Sequence, residues 1–247
     1  MKTVLITGCS SGFGRDIARH FLERDWKVIA TMRTPSEDAL PHTTNLRILP
    51  LDVTDAESIR RAIEAAGPID ALVNNAGIGW LGALEGMPMQ TVREVFETNT
   101  LGTIAMTQAV LPQFRERKAG VIVNVTSSVT LRPLLLLPVY TASKAAVNAF
   151  TESLALEVEP FGIHVRVVMP GRAPDTRFGD NAQTRMDGAI PEAYAGLAQQ
   201  VFARFQEPGP ITYLEDVSEA VWRAVNEPES AMLIPAGEDA VQWARAS

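Results

Sequence analysis

Cysteine, histidine, net positive charge and long apolar runs are all scarce in this 247-residue chain, and each scarcity removes a class of explanation. Its one cysteine, Cys9, excludes an internal disulfide framework and fits a reducing compartment. His20, His42 and His164 are scattered without metal-ligand spacing, so no metal is expected and zinc-dependent alcohol oxidation is not supported. The formal net charge of −7 disfavours nucleic acid and anionic membrane as partners, so an anionic ligand must be held by local features. The apolar run at the N-terminus is too short for a signal peptide. Leu134–Leu137, bounded by Pro133 and Pro138, is too short to cross a bilayer. The expectation is therefore a cytoplasmic protein without membrane contact. A linker is also missing. Residues 1–247, 46 % hydrophobic and 21 % charged, are expected to bury one core as a single domain.

Strand-like and helix-like stretches alternate along the chain. Lys2–Thr7 reads as a buried strand running into Gly8, Ser10, Ser11, Gly12, Phe13 and Gly14, before a helix whose inward face is Ile17, Ala18, Phe21 and Leu22. Glycines permit positive φ and close backbone approach, and the free N–H groups and dipole of a helix start suit a pyrophosphate. Lys27–Met32 is a second strand ending in Arg33, and Leu46–Val53 contains a third that closes on Asp52. No acid ends the second strand; an acid there holds the 2′-hydroxyl of NAD, whereas a nearby arginine accommodates the 2′-phosphate of NADP. Met32-Arg33 is the NADP pattern. Thr54 to Glu57 reads as a capping box for a helix with Ile59, Ala62 and Ile63 inward. Ala71–Val73 is a strand leading to Asn74-Asn75-Ala76-Gly77, a polar corner at a strand's carboxyl end, where ligands bind in open parallel sheets.

Met89–Arg117 carries one long helical pattern with Asn99 inside it, an odd place for a side chain that competes for backbone hydrogen bonds. Val121–Val125 is a strand feeding Ser127, a helix holds Tyr140 and runs to about Glu159, and Val165–Met169 is a strand ending at Pro170-Gly171. Beyond it, Arg172–Ile190 is polar and turn-rich, Pro191–Phe205 and Asp216–Asn226 read as helices, and Ala231–Ile234 as a last strand. The alternation predicts an α/β, doubly wound parallel sheet. A long irregular segment at about residues 172–213 is expected to act as a substrate lid.

Ser127 through Lys144 concentrates the chemistry. Tyr140 and Lys144, four apart on a helix, project from one face, and an adjacent ammonium is expected to lower a phenol that ordinarily titrates near ~10. The loop between strand and helix can fold Ser127 back toward Tyr140.

Taken together, Thr7-Gly8…Gly12-Phe13-Gly14, Asp52-Val53, Asn74-Asn75-Ala76-Gly77, Asn99, Ser127…Tyr140-x-x-x-Lys144 and Pro170-Gly171 resemble the short-chain dehydrogenase/reductase family, in its compact Rossmann-type branch, over essentially the whole chain. The resemblance implies that Tyr140 is the general acid in reduction and base in oxidation, and that Ser127 hydrogen-bonds the substrate oxygen. Lys144 would bind the nicotinamide ribose and lower the tyrosine pKa, and Asn99 would hold a water linking Lys144 to solvent. Gly8, Ser10, Ser11, Gly12, Phe13 and Gly14 would surround the pyrophosphate and its ribose, Asp52 and Val53 the adenine, and Asn75, Ala76 and Gly77 the switch-point ribose. Pro170 and Gly171 would back the nicotinamide. The threonine that usually follows stands one place late, at Thr176, and Ser11 replaces a basic residue common in NADP-linked members.

The expected activity is hydride transfer between NADPH and a ketone or aldehyde, as a carbonyl reductase or alcohol dehydrogenase, in a homotetramer or dimer. Trp80, Leu134–Leu137, Val139, Phe178 and residues 190–205 suggest an apolar pocket and a hydrophobic or bulky carbonyl substrate. The competing reading is a non-catalytic NADP-sensing protein on the same fold; a nucleotide-sugar epimerase or dehydratase resembles longer chains with a differently spaced glycine turn.

Overall fold

The structure, a computed structural model, describes residues 1–176 and 190–246. Seven parallel strands form one sheet, β1 Thr3–Ile6, β2 Lys27–Met32, β3 Leu46–Pro50, β4 Ala71–Asn74, β5 Gly120–Val125, β6 Ile163–Pro170 and β7 Leu233–Ala236. Their order is β3-β2-β1-β4-β5-β6-β7. Chain direction across the sheet therefore reverses between β1 and β4, where Val4 is registered against Val28 on one side and Ala71 on the other. That reversal opens a crevice at the strands' carboxyl ends.

Both sheet faces are covered, which is why the strands read as continuous apolar runs. Alternate residues of β1 go to opposite sides. Val4 and Ile6 join the helix α1 (Gly12–Leu22) and the helix α7 (Leu214–Asn226) through Ile17, Phe21, Val217 and Val221. Leu5 joins α2 (Ala56–Ala66), α4 (Gly102–Arg117) and α5 (Pro138–Val158) through Ile59, Met106, Phe114 and Leu154. Phe21 and Phe114 are wholly enclosed, and truncating either to alanine costs roughly 3–5 kcal/mol. The helical periods in the sequence find these faces correctly; Leu22 and Ile63 are half-buried at their margins.

Four local expectations shift and one helix goes unannounced. The cap of α2 is Asp55, whose carboxylate accepts from the Glu57 N–H; the Thr54 hydroxyl donates to Asp52 instead. The long helix over 89–117 is α3 (Met89–Phe96) and α4 joined by a π-helical turn, Glu97–Leu101, that contains Asn99. A short turn, Glu192–Tyr194, precedes α6 (Ala195–Gln206). β7 begins two residues later than its apolar run suggests. The last helix, α8 (Glu238–Ala246), is too short and polar for its period to announce it.

Candidate active site

The chain leaves β1 through Thr7, whose hydroxyl accepts the N–H groups of Asn75 (3.0 Å) and Ala76 (2.9 Å). The Asn75 amide returns the connection, donating to the Thr7 and Gly8 carbonyls at 2.9 and 3.2 Å. Contact this close leaves no room for side chains. Gly8 has φ +76°, and a Cβ on Gly14 would lie 2.3 Å from the Gly8 carbonyl oxygen and 2.4 Å from Asn75 Nδ2. Gly14 thus packs behind the turn, while Gly8, Ser10, Ser11, Gly12 and Phe13 line a cleft of about 740 Å³. Ser11 stands at the N-cap of α1 and makes no capping bond with its side chain. The first N–H groups of the helix therefore receive no side-chain cap from it, the arrangement that binds phosphate oxygens.

Asn75, Ala76, Gly77, Met32, Arg33, Asp52, Val53 and Thr176 line the same cleft. Thr176 reaches the glycine turn despite its displaced place in sequence: a Cβ on Gly12 would meet it at 3.7 Å. A hydrogen bond from the Thr54 N–H holds the Asp52 carboxyl below the usual carboxylate range, with the Thr54 hydroxyl and the Arg33 guanidinium adding to the effect. Sequence reasoning missed the opposite wall, where Gln90, Arg93 and Glu97 stand. Nothing in a helical period distinguishes a cleft-facing polar residue from a solvent-facing one. An anionic dinucleotide fits this cleft: it has a side-chain-free turn, a helix start without a side-chain cap and an arginine at the far end.

The second corner lies beyond β5. Pro138 opens α5, a position where its missing N–H costs nothing. Tyr140 and Lys144 follow one turn apart, and the Tyr140 phenol is hydrogen-bonded to the Ser127 hydroxyl. Lys144 Nζ donates to the Val125 carbonyl at 3.0 Å and lies 6.0 Å from the centre of the tyrosine ring. Tyr140 and Lys144 are 6 % and 5 % exposed. Burial pushes the phenol above its ordinary value, against the smaller lowering by Ser127, so the tyrosine stays protonated. Burial also pulls the Lys144 ammonium down to about 8. The sequence reading expected a lowered phenol; desolvation raises it instead, and what opposes the rise is the Ser127 hydrogen bond rather than the lysine.

The π-helical turn explains Asn99. Its side-chain oxygen accepts the Ile78 N–H at 2.8 Å, and its amide donates to the Ile78 carbonyl at 2.9 Å and the Ser143 hydroxyl at 3.1 Å. An extra residue in the turn aims the asparagine at the strand β4 exit and at α5 together. Gly77 is where these parts converge, since a Cβ there would lie 3.2 Å from Asn99 Oδ1 and 3.3 Å from Lys144 Nζ. Ser127, Tyr140, Lys144 and Asn99 are thus brought into one neighbourhood by three different elements.

Apolar side chains close around Tyr140. Leu81, Val129, Leu136, Leu137, Ala198 and Val201 form one buried cluster with it, and Ile190, Leu197 and Phe202 pack alongside. Leu136 adopts φ +62°, an outlier for a bulky residue, held by a 2.8 Å hydrogen bond from Gly82 N–H to its carbonyl. Trp80 and Val139 do not join this wall: they pack with Met87 and Val95 in a separate cluster. Phe178 lies outside the described residues, as does the middle of the expected lid. Pro170 ends β6 and Gly171 follows it, but neither is on the cleft wall described above.

A family model described as short chain dehydrogenase matches residues 2–186. The uncharacterized oxidoreductase YusZ of Bacillus subtilis (strain 168) is 42 % identical over 84 % of this chain and 80 % of its own. Retinol dehydrogenase 8 of Bos taurus is 39 % identical over 69 % of this chain, which spans 58 % of that protein's length. Among solved structures, a closed form of serine dehydrogenase complexed with NADP+ superimposes with a TM-score of 0.82 at 30 % identity, covering 96 % of this chain and 95 % of that one. A 3-ketoacyl-(acyl-carrier-protein) reductase from Brucella melitensis complexed with NADH gives 0.78 at 25 % identity, over 95 % and 96 %. Among the described residues, no helix is long and apolar enough to cross a membrane.

Proposed function

The chain belongs to the short-chain dehydrogenase family of oxidoreductases, and from that premise we propose that it reduces a ketone or aldehyde, and oxidises the matching alcohol, with NADP(H). The observation that carries the reading is the buried, hydrogen-bonded Ser127–Tyr140 pair with the Lys144 ammonium behind it. When bound, NADPH supplies the hydride. The protein's residues do the rest. Ser127 donates a hydrogen bond to the substrate oxygen and aligns it with the phenol. Tyr140, kept protonated by burial, gives its proton to the oxygen as negative charge develops there. Lys144, charged below about pH 8, stabilises the phenolate left behind and holds the nicotinamide ribose. Asn99 Oδ1 and Lys144 Nζ both border the Gly77 position, which supports a water relay between them that returns the proton.

Gly8 and Ser10 to Phe13 would hold the pyrophosphate, with Gly14 permitting the turn; Asp52 and Val53 would hold the adenine, Asn75 to Gly77 the ribose, and Pro170, Gly171 and Thr176 the nicotinamide side. Arg33 would take the 2′-phosphate, a preference that the serine dehydrogenase complexed with NADP+ supports. An aliphatic wall of Leu81, Leu136, Leu137 and Val201 supports a hydrophobic or bulky carbonyl rather than a sugar or charged acid, in keeping with the retinol named in one relative.

The test is a panel of carbonyl compounds graded by chain length and charge, with NADPH oxidation followed at 340 nm. Turnover rising with apolar bulk is the expected result. A protein that binds NADPH yet oxidises it with no carbonyl in the panel would overturn the reading in favour of a sensor.

A further inference from the structure

We infer that Asp239, on the C-terminal helix, is a positioning residue that fixes the segment Gly171–Thr176 against the cofactor cleft. The inference rests on the reading of that cleft as a dinucleotide site. Asp239 is 5 % exposed, and its two carboxylate oxygens reach different parts of the chain. One accepts the backbone N–H of Arg172 at 2.6 Å, and the other accepts the Thr212 hydroxyl at 2.7 Å. Thr212, itself 1 % exposed, accepts the Gly171 N–H on the same hydroxyl at 2.9 Å, and its own N–H donates to the Arg172 carbonyl at 2.8 Å.

The segment that leaves the sheet after β6 and the one that returns before α7 are therefore tied to each other and to one buried carboxylate. Short distances and burial make both carboxylate bonds strong ones. The tie also gives Gly171 its physical reason. A Cβ there would fall 2.1 and 2.2 Å from the Asp239 oxygens, so no other residue fits without moving the carboxylate. Gly237, at φ +98°, is excluded from bearing a side chain by the Thr212 hydroxyl that the carboxylate accepts from, since its Cβ would lie 2.0 Å from Thr212 Oγ1.

From this anchor the chain runs only four residues, from Arg172 to Thr176, before reaching the cleft wall beside Gly12. A turn closes that span: Thr176 donates through its N–H and its hydroxyl to the Ala173 carbonyl, at 3.2 and 2.8 Å. Shifting Arg172 consequently shifts Thr176. The same helix reaches the other side of the site, for Trp243 lies under the Arg132 guanidinium at 5.6 Å and α8 packs against the turn Ser128–Thr130 that follows Ser127. Without touching a ligand, α8 braces the two loops that flank the space between cleft and Tyr140.

Asp239→Ala removes the acceptor of the Arg172 N–H and unties Thr212 from α8, the Thr212 hydroxyl keeping only the Ala236 carbonyl. Asp239→Asn restores the acceptor and the tie, its oxygen accepting from the Arg172 N–H and its amide donating to the Thr212 oxygen while that hydroxyl's proton turns to the Ala236 carbonyl 3.0 Å away. The experiment compares wild type, Asp239→Ala and Asp239→Asn by NADPH fluorescence titration, turnover, and hydrogen exchange of the peptide spanning 170–176. The expected result is about tenfold weaker NADPH binding and faster exchange in the alanine variant, with most of both restored by asparagine. Unchanged binding and exchange in a folded Asp239→Ala protein would overturn the inference, as would an asparagine variant no better than alanine. Wild type failing to bind NADPH at all would instead overturn the reading of the cleft, and the exchange measurement would still report whether Asp239 holds the segment.

Discussion

The two corners of the site are built on opposite principles. Around Gly8 the cleft surface is made by the backbone: Thr7 and Asn75 spend their polar groups on holding the chain in place, and the glycines contribute only the absence of Cβ atoms. Around Tyr140, by contrast, the surface is made of buried side chains whose proton affinities are displaced by the low-dielectric surroundings. The first corner is therefore broken by adding atoms, whereas the second is broken by removing an atom or a proton. Affinity and reactivity should separate accordingly.

The sharpest break is Tyr140→Phe, which deletes the proposed proton donor but keeps the ring in its apolar cluster. Turnover should fall by ~10²–10⁴-fold with NADPH binding retained, measured by steady-state kinetics beside fluorescence titration. Comparable turnover would remove Tyr140 from its role. Adding one methyl at Gly14 tests the other corner, because its Cβ would press on the Gly8 carbonyl and the Asn75 amide. Overpacking of this kind costs about 1–3 kcal/mol, so the expected outcome is a lowered melting temperature and cofactor binding weakened by roughly ten- to a hundredfold. Undiminished binding would mean that the turn is not the phosphate cradle.

Arg33→Ala is a milder intervention at an exposed end of the cleft. It should raise KM for NADPH by about tenfold, leave that for NADH nearly unchanged, and matter less as salt screens the contact. Equal use of NADH and NADPH by wild type at low salt would return Arg33 to an ordinary surface residue. The smallest effect sharpens the second corner through pH. Burial holds the folded Lys144 ammonium down at about 8, against about 10.5 for an unburied lysine, so the unfolded chain binds more protons between those values and the unfolding free energy should rise with pH across that window. Urea melts at about pH 8 and about pH 10 should show this rise as the difference between wild type and Lys144→Met, since the buried Cys9 thiol, pushed up to about 12, works in the opposite sense in both proteins; no difference between the two would contradict the buried ammonium.

Much of the first corner was legible in the chain, because its determinants are local. A strand running into Gly8…Gly12-Phe13-Gly14 and a helix encodes its own turn, and Asn75 to Gly77 stand at a strand end that the parallel sheet must bring alongside. That the sheet would be parallel followed from the alternation of strands with helices, since parallel neighbours require crossovers of that length, whereas the order of the strands was decided by the tertiary structure. Asn99 stood out for a related reason, a polar residue in a helical period, although only the structure revealed the π-helical turn that serves it.

The sequence by itself determined which residues could do the chemistry and the sheet that would carry them, because glycine placement, apolar period and motif spacing are properties of neighbouring residues. Tertiary structure alone decided the rest. Burial raised the Tyr140 phenol where an adjacent lysine suggested the reverse, since desolvation depends on everything packed around the ring and not on the residue four places on. Asp239 found Gly171, Arg172 and Thr212 only through the sheet that sets β6 beside β7. No spacing rule links residues 67 apart; their meeting is fixed by the register of two parallel strands and the close packing that register permits.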